Sequence, residues 1–322
     1  MGAVSQIGGK KEARLAALAE QKQLASLLAG GVAGSLSSTV TCPIEVVKTK
    51  LQGSSLSSPG TIVGQILQRE GVRGFFRGLP PTLLGILPAR STYFWAYSTT
   101  KSWLVKRWEE NPVVHIASAV VAGVVSNTVT NPIWMVKTRL QLFAGEANAY
   151  EGFRNSVSRI FQEEGVSGFF RGLSASYWGV AEGAIHFVIY EGLKQRLVAS
   201  KPGTATGEKV EASKLELFGA AAVAKLFASA LTYPHEVVRT RMRIPPAPGQ
   251  LPKYRTMIQS LSTIGREEGM KGLYGGMGAH LLRVVPNAAL MFLTYESVMR
   301  WFDRIEKENS QSQKTELALR RQ

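Results

Sequence analysis

The sequence predicts an all-α membrane protein made of three copies of a two-helix unit, and two observations carry that expectation. Charge is unevenly placed: 24–44 contains no acidic or basic side chain, and 112–136 contains only His115. Each stretch is long enough to cross a hydrocarbon core of about 30 Å as a helix. The second observation is a repeat, which governs every later assignment. Pro43-Ile44-Glu45-Val46-Val47-Lys48-Thr49-Lys50-Leu51-Gln52 returns as Pro132-Ile133-Trp134-Met135-Val136-Lys137-Thr138-Arg139-Leu140-Gln141, then as Pro234-His235-Glu236-Val237-Val238-Arg239-Thr240-Arg241-Met242-Arg243.

Two more markers follow in each copy. Glu70-Gly71-Val72-Arg73-Gly74-Phe75-Phe76-Arg77-Gly78 recurs at 164–172 and, more loosely, at 268–276; a tyrosine with polar residues closes each copy at Tyr97, Tyr190 and Tyr295. The chain therefore divides into an N-terminal extension (1–20), copies at 21–109, 112–199 and 213–306, and a polar tail (307–322). In each copy an apolar helix runs into the proline, a polar linker leads to the Glu-Gly marker, and a second apolar helix runs to the tyrosine. Six spanning segments are expected near 24–52, 80–106, 113–141, 174–198, 214–242 and 278–303. Short amphipathic stretches at 62–69, 153–163 and 257–267 read as helices lying in the interface. Gly30 with Gly34, and Ala119 with Gly123, give the small-residue spacing of close helix packing.

Composition narrows the function. The chain holds 38 basic and 23 acidic residues, a net charge of +15, which implies an anionic partner: nucleic acid, an anionic membrane face or an anionic solute. Nucleic acid fits worst, because several bases interrupt apolar segments and do not form a solvated face. Cys42 is the only cysteine, so no disulfide framework or multi-cysteine metal site is expected. Four histidines, one cysteine and no Gly-Lys-Ser/Thr phosphate loop offer no catalytic constellation, metal or cofactor, so the chain does not read as an enzyme. The first 23 residues lack the apolar core of a secretory signal, and their acidic residues argue against a cleaved transit peptide; they read as an exposed, partly helical extension.

Together the three markers resemble the signature of the mitochondrial carrier family, over roughly residues 21–306. The resemblance implies six helices in a monomeric barrel with threefold pseudosymmetry and three short matrix-side helices. It also implies a mitochondrial inner-membrane location, both termini in the intermembrane space, alternating access and usually solute exchange, with membrane lipid such as cardiolipin at the matrix-side helices. Independently, Pro43, Pro132 and Pro234 should kink the odd-numbered helices by removing a backbone hydrogen bond. Acid and base three residues apart share a helical face. By the family's pairing rule, the matrix gate joins Glu45 to Lys137 and Glu236 to Lys48, with Gln52 and Gln141 as braces. Trp134 replaces the second acid, which leaves Arg239 for a cation–π contact with Trp134, and Arg243 takes the third brace position. At the cytoplasmic gate the rule pairs Lys101 with Glu191 and Lys194 with Glu296. Ser98 and Met299 replace both members of the third pair, which is nearly neutral where losing one is not.

Ionisable residues inside spanning helices are costly and so are functional candidates: Arg90, Glu182, Lys225 and Arg283. Three are cations, suited to an anion and above all to phosphate; structural pairing of Arg90 or Arg283 with Glu182 is the other reading. The family's substrate-contact positions fall on Gly85 and Ile86, Trp178 and Gly179, and Arg283 and Val284. Trp178 can stack a base or pack against lipid, and it shares a face with Glu182 and His186, either of which could take up a proton. Asn127, Ser38 and Ser229, five residues before each proline, can add hydrogen bonds. Pro132-Ile133-Trp134, the stretch 185–191 and Tyr233-Pro234-His235-Glu236 resemble the branch carrying pyrimidine nucleotides, NAD, FAD and folate. The stretches 174–177 and 186–191 with Lys225 most resemble its pyrimidine nucleotide carriers. Transport of a pyrimidine nucleotide substrate is thus expected, a cofactor carrier being the nearest alternative and a structural membrane protein the alternative from another class.

Overall fold

The computed structural model describes residues 2–54, 57–143, 150, 152–199, 213–246 and 250–319, and among these there is helix and no strand. Copy 1 comprises α1 (Gly2–Gly53), α2 (Pro59–Glu70), a 3₁₀ turn (Gly71–Phe76) and α3 (Leu79–Val105). Copy 2 comprises α4 (Pro112–Leu142), α5 (Gly152–Gly168) and α6 (Leu173–Ala199). Copy 3 comprises α7 (Lys214–Thr232), α8 (Pro234–Met242), α9 (Met257–Glu267), α10 (Gly269–Leu273) and α11 (Met277–Leu319). Leu24–Gly53, Pro112–Leu142, Leu215–Thr232 and Gly269–Ile305 are long and apolar enough to cross a membrane. The 27-residue α3 and α6 reach about 40 Å at 1.5 Å per residue. The N-terminal extension is helical from Gly2 and continuous with the first span, and residues 307–319 prolong α11.

Local chemistry sets the helix boundaries. Asn111 accepts a hydrogen bond from the Val114 amide at 3.0 Å, and Ser213 with Glu216 forms a capping box, each satisfying amides that lack intrahelical partners. The prolines act unequally: α1 and α4 run through Pro43 and Pro132, whereas α7 gives way to α8 at Tyr233–Pro234. The glycine that closes each Glu-Gly marker takes a left-handed φ of 79°, 75° and 79° at Gly78, Gly172 and Gly276, where other residues are strained. A Cβ at these positions would lie 3.2, 3.1 and 3.0 Å from the backbone oxygens of Lys137, Arg239 and Lys48. Each second helix therefore begins hard against the proline marker of another copy.

Two units are distinguished, residues 1–40 with 286–322, and residues 41–285. In the first, Leu24, Leu28, Val32, Leu36 and Val40 form an exposed stripe every fourth residue, while Ala29, Ala33 and Ser37 are buried; large groups face outward and small ones pack, as in lipid. Ser26 and Tyr295 hydroxyls meet there at 3.0 Å. Among the described residues the second unit holds three small cores, each centred on one copy's marker: Val46, Leu51 and Ile66; Met135, Leu140 and Ile160; Val237, Met242 and Ile264. In each, the helix segment after the proline is packed against the short linker helix. Gly123 of α4 approaches Val180 of α6 so closely that an added Cβ would lie 3.1 Å from it.

Candidate functional site

The three proline markers meet in the second unit and bond in a closed cycle. Thr49 donates to Gln141 at 2.9 Å, Thr240 donates to Gln52 at 2.8 Å, and Arg243 donates to Thr138 at 2.9 Å. Each threonine thus engages the residue at the end of another copy's marker, linking copy 1 to 2, 2 to 3 and 3 to 1. Arg243 does more than a glutamine could, also reaching the Trp134 carbonyl at 3.2 Å and Asn131 Oδ1 at 3.0 Å. Gln52 further donates to the Tyr233 hydroxyl at 3.0 Å.

Charge pairs lie around this cycle. Lys137 donates to Glu45 at 2.8 Å, and Lys48 pairs with Glu236. Arg283 also reaches Glu45, at 3.0 Å. The Arg239–Trp134 contact expected from the sequence does not form. Arg239 instead lies 3.5 Å from Glu236 of its own helix, and the ring of Trp134 carries Lys137 at 5.2 Å while its indole N–H donates to Thr130. Both replacements are three-residue neighbours on one helix face, which reach each other at little entropic cost.

One set of pairs escaped the sequence reading. The second base of each proline marker turns to the glutamate of its own copy's Glu-Gly marker: Lys50 to Glu70 at 3.6 Å, Arg139 to Glu164, and Arg241 to Glu268 at 2.8 Å. Arg139 and Arg241 also donate to the backbone oxygens of Arg243 and Gln52 at 3.0 and 2.6 Å. Arg77 and Arg171 brace the first two glutamates, and Gly275 stands at the corresponding place in copy 3. In the linker of copy 2, Tyr150 accepts from Arg139 at 3.0 Å, and burial raises its phenol's pKa against the opposing pull of that arginine. The signal was present, since both halves of every pair belong to repeated markers.

Two cavities adjoin the expected substrate residues. One of about 160 Å³ is lined by Glu45, Trp134, Lys137, Asn131, Arg239 and Arg243 among others. The other, about 760 Å³ and largely apolar, is bounded by Tyr93, Tyr97, His115, Gly179, Glu182 and Lys225 among others. Glu182 accepts from Lys225 at 2.6 Å and Ser229 at 2.7 Å, so a lysine holds it, and Arg283 turns to Glu45. Arg90 and Val284 are half-buried. Gly85 is buried beneath Ile133 and Trp134, and Gly179 lies against His235. Trp178 is 57% exposed and borders neither cavity, and His186 turns to the Ala221 carbonyl at 3.3 Å. Trp178 therefore does not join Glu182 and His186 in one wall.

Glu182, His235 and Glu236 bring possible metal-ligating atoms within 4.8 Å of one another. Both carboxylates already hold cations: Lys225 and Ser229 bond Glu182 and Lys48 bonds Glu236, while His235 Nδ1 donates to the Thr232 carbonyl. The two carboxylates belong to ion pairs.

At the tyrosine markers, Lys101 and Glu191, both within residues 41–285 and expected to pair, each take a local partner, and Glu296 has one on its own helix. Lys101 takes Glu110 at 2.6 Å, Lys194 takes Glu191 at 3.3 Å within α6, and Glu296 takes Arg300 at 2.7 Å within α11. These side chains are 32–68% exposed, so water already solvates them and no desolvation penalty drives them to distant partners.

Comparison with known proteins accords with this threefold construction. The family model described as "Mitochondrial carrier protein" matches residues 19–108, 109–201 and 211–306. Solute carrier family 25 member 36 of Gallus gallus is 41% identical over 89% of this chain and 100% of its own length. Solute carrier family 25 member 33 of Mus musculus is 40% identical, covering 87% and 96%. The mitochondrial pyrimidine nucleotide transporter RIM2 of Saccharomyces cerevisiae (strain ATCC 204508 / S288c) is 36% identical, covering 85% and 84%. With three family matches that together span most of its length, this chain belongs to the mitochondrial carrier protein family.

Proposed function

We propose that this chain transports pyrimidine nucleoside phosphates across the mitochondrial inner membrane, as a monomeric exchanger that opens alternately to either side, with both termini in the intermembrane space. The observation that carries the reading is that two interior cations suited to an anion are each held by a carboxylate, Arg283 by Glu45 and Lys225 by Glu182. A phosphate arriving at Arg283 competes with Glu45, which also holds Lys137. Binding therefore weakens Arg283–Glu45, a pair that ties copy 3 to copy 1, and that couples occupancy to opening. In this reading Glu45–Lys137 and Lys48–Glu236, braced by Gln52, Gln141 and Arg243, form the matrix gate. Lys101, Glu191, Lys194 and Glu296 exchange their local partners for cross-copy ones when the other gate closes. Gly85, Arg90, Gly179, Lys225, Arg283 and Val284 contact the substrate. The work is transport, without a catalytic step.

The choice of pyrimidine nucleotides is supported by the 36% identity to the yeast relative named for them. Anionic lipid such as cardiolipin suits the recess at the start of α6, where Arg171 and Arg255 flank Phe170 and Leu173. Reconstitution in liposomes tests the whole: UTP and CTP should enter only vesicles preloaded with nucleotide. Uptake of NAD, FAD or folate in their place would overturn the substrate assignment.

A further inference from the structure

The polar cavity at the proline markers carries a charge imbalance. Its lining presents Lys48, Lys137, Arg239 and Arg243 against Glu45. Glu236 answers Lys48, and Arg283 adds another cation on Glu45. Among these residues two carboxylates face five cations. The excess gathers between copies 2 and 3, where Trp134 stands in the place that Glu45 and Glu236 hold in the other copies. Arg243 is buried, and its side-chain bonds run to neutral acceptors: the Trp134 carbonyl, Thr138 and Asn131. Among the described residues Arg239 has a single long ion pair, with Glu236.

Cations held at membrane depth without carboxylates are costly, so a mobile anion is the natural complement. The cavity of about 160 Å³ has room for roughly five waters at about 30 Å³ each, comparable to the five heavy atoms of a phosphate. Arginine is suited to phosphate by its planar fork of donors. We propose that this cavity is a phosphoryl subsite, with Arg239 and Arg243 as its ligands, in which the bound anion supplies the negative charge that copy 2 lacks. As a subsite of the transport path it rests on the function proposed above, but its ability to bind an anion does not.

Detergent-purified protein can be unfolded while buried Cys42 reports through a thiol-reactive dye, with inorganic pyrophosphate compared against sodium chloride at equal ionic strength. Pyrophosphate should raise the unfolding midpoint of the unaltered protein. Arg243→Gln, which places a third glutamine brace in the cycle, should weaken its apparent affinity by about tenfold or more, the share of one charge-assisted hydrogen bond. Trp134→Glu gives Arg239 a carboxylate and should weaken it likewise, which covers the case in which Arg243→Gln does not fold. Equal pyrophosphate effects in the unaltered protein and both variants, or an equal effect of chloride, would overturn the subsite. Exchange of UTP against UMP then identifies the source of the anion. If Arg243→Gln erases a preference for the triphosphate, the anion is the substrate's own terminal phosphate; if pyrophosphate protection is lost while the preference stays, it is a free anion. Failure of the unaltered protein to exchange nucleotides would remove the transport reading and leave the pyrophosphate result standing.

Discussion

Within residues 41–285, the proline-marker level and the tyrosine-marker level carry similar charges and use them differently. At the first, Lys48 is 6% exposed, Gln52 is 3% exposed, and their contacts cross between copies. At the second, Lys101 and Lys194 keep 32% and 42% of their side chains exposed, and their partners are near in sequence. The difference follows from solvation. A buried charge must find an opposite charge wherever one lies, whereas an exposed one is served by water and takes the neighbour that costs least side-chain entropy. Cross-copy pairing therefore goes with burial.

The sharpest way to break this comparison is Glu45→Gln. One carboxylate serves Lys137 and Arg283 at 2.8 and 3.0 Å, so its loss strands two cations. Removing one partner of a buried pair costs about 3–5 kcal/mol, and thermal unfolding in detergent should show a drop of that order. The double variant Glu45→Gln/Lys137→Gln should recover part of it. Additive losses would mean the pair carries no coupling.

The helices, their order and the cross-copy pairs Glu45–Lys137 and Lys48–Glu236 were legible because repetition and hydropathy act over long stretches and the family rule supplies the register. Several of the contacts not foreseen share one cause. Trp134–Lys137, Glu236–Arg239 and Glu191–Lys194 are three-residue neighbours, and matching charges across copies passed over these local contacts. The Lys50, Arg139 and Arg241 pairs were hidden differently, since the linkers separating them from Glu70, Glu164 and Glu268 differ in length and show no common spacing. The cavity beside Trp134 required packing to be seen, because the substitution reveals a missing charge but not the space left with it.

A second comparison sets the copies against each other. Arg241 reaches both Glu268 oxygens at 2.9 and 2.8 Å, whereas Lys50 approaches Glu70 at 3.6 Å. Glu268→Gln should cost about 1.5–3 kcal/mol, the range for hydrogen bonds to charged groups, and Glu70→Gln less. Equal losses would show that the fork geometry of arginine adds nothing here. Next in size, Gly276→Ala forces a left-handed φ on alanine, about 1–2 kcal/mol, and sets its Cβ 3.0 Å from the Lys48 oxygen. Restoring the Gly276 sequence should restore both the unfolding midpoint and transport.

The smallest expected effect on stability is the most informative about mechanism. Lys194→Gln removes an exposed pair within one helix, so it should change stability by less than about 0.5 kcal/mol and leave the midpoint of the form described here nearly unmoved. If Lys194 takes a cross-copy partner when the proposed opposite gate closes, the same variant destabilises that other form. Two states differing in free energy respond to a substitution only by its differential effect on them, so turnover or the balance between forms must shift although the midpoint does not. An exchange rate unchanged along with the midpoint would show that the local pair is the only role of Lys194, and the tyrosine markers would then be helix ends with no part in gating.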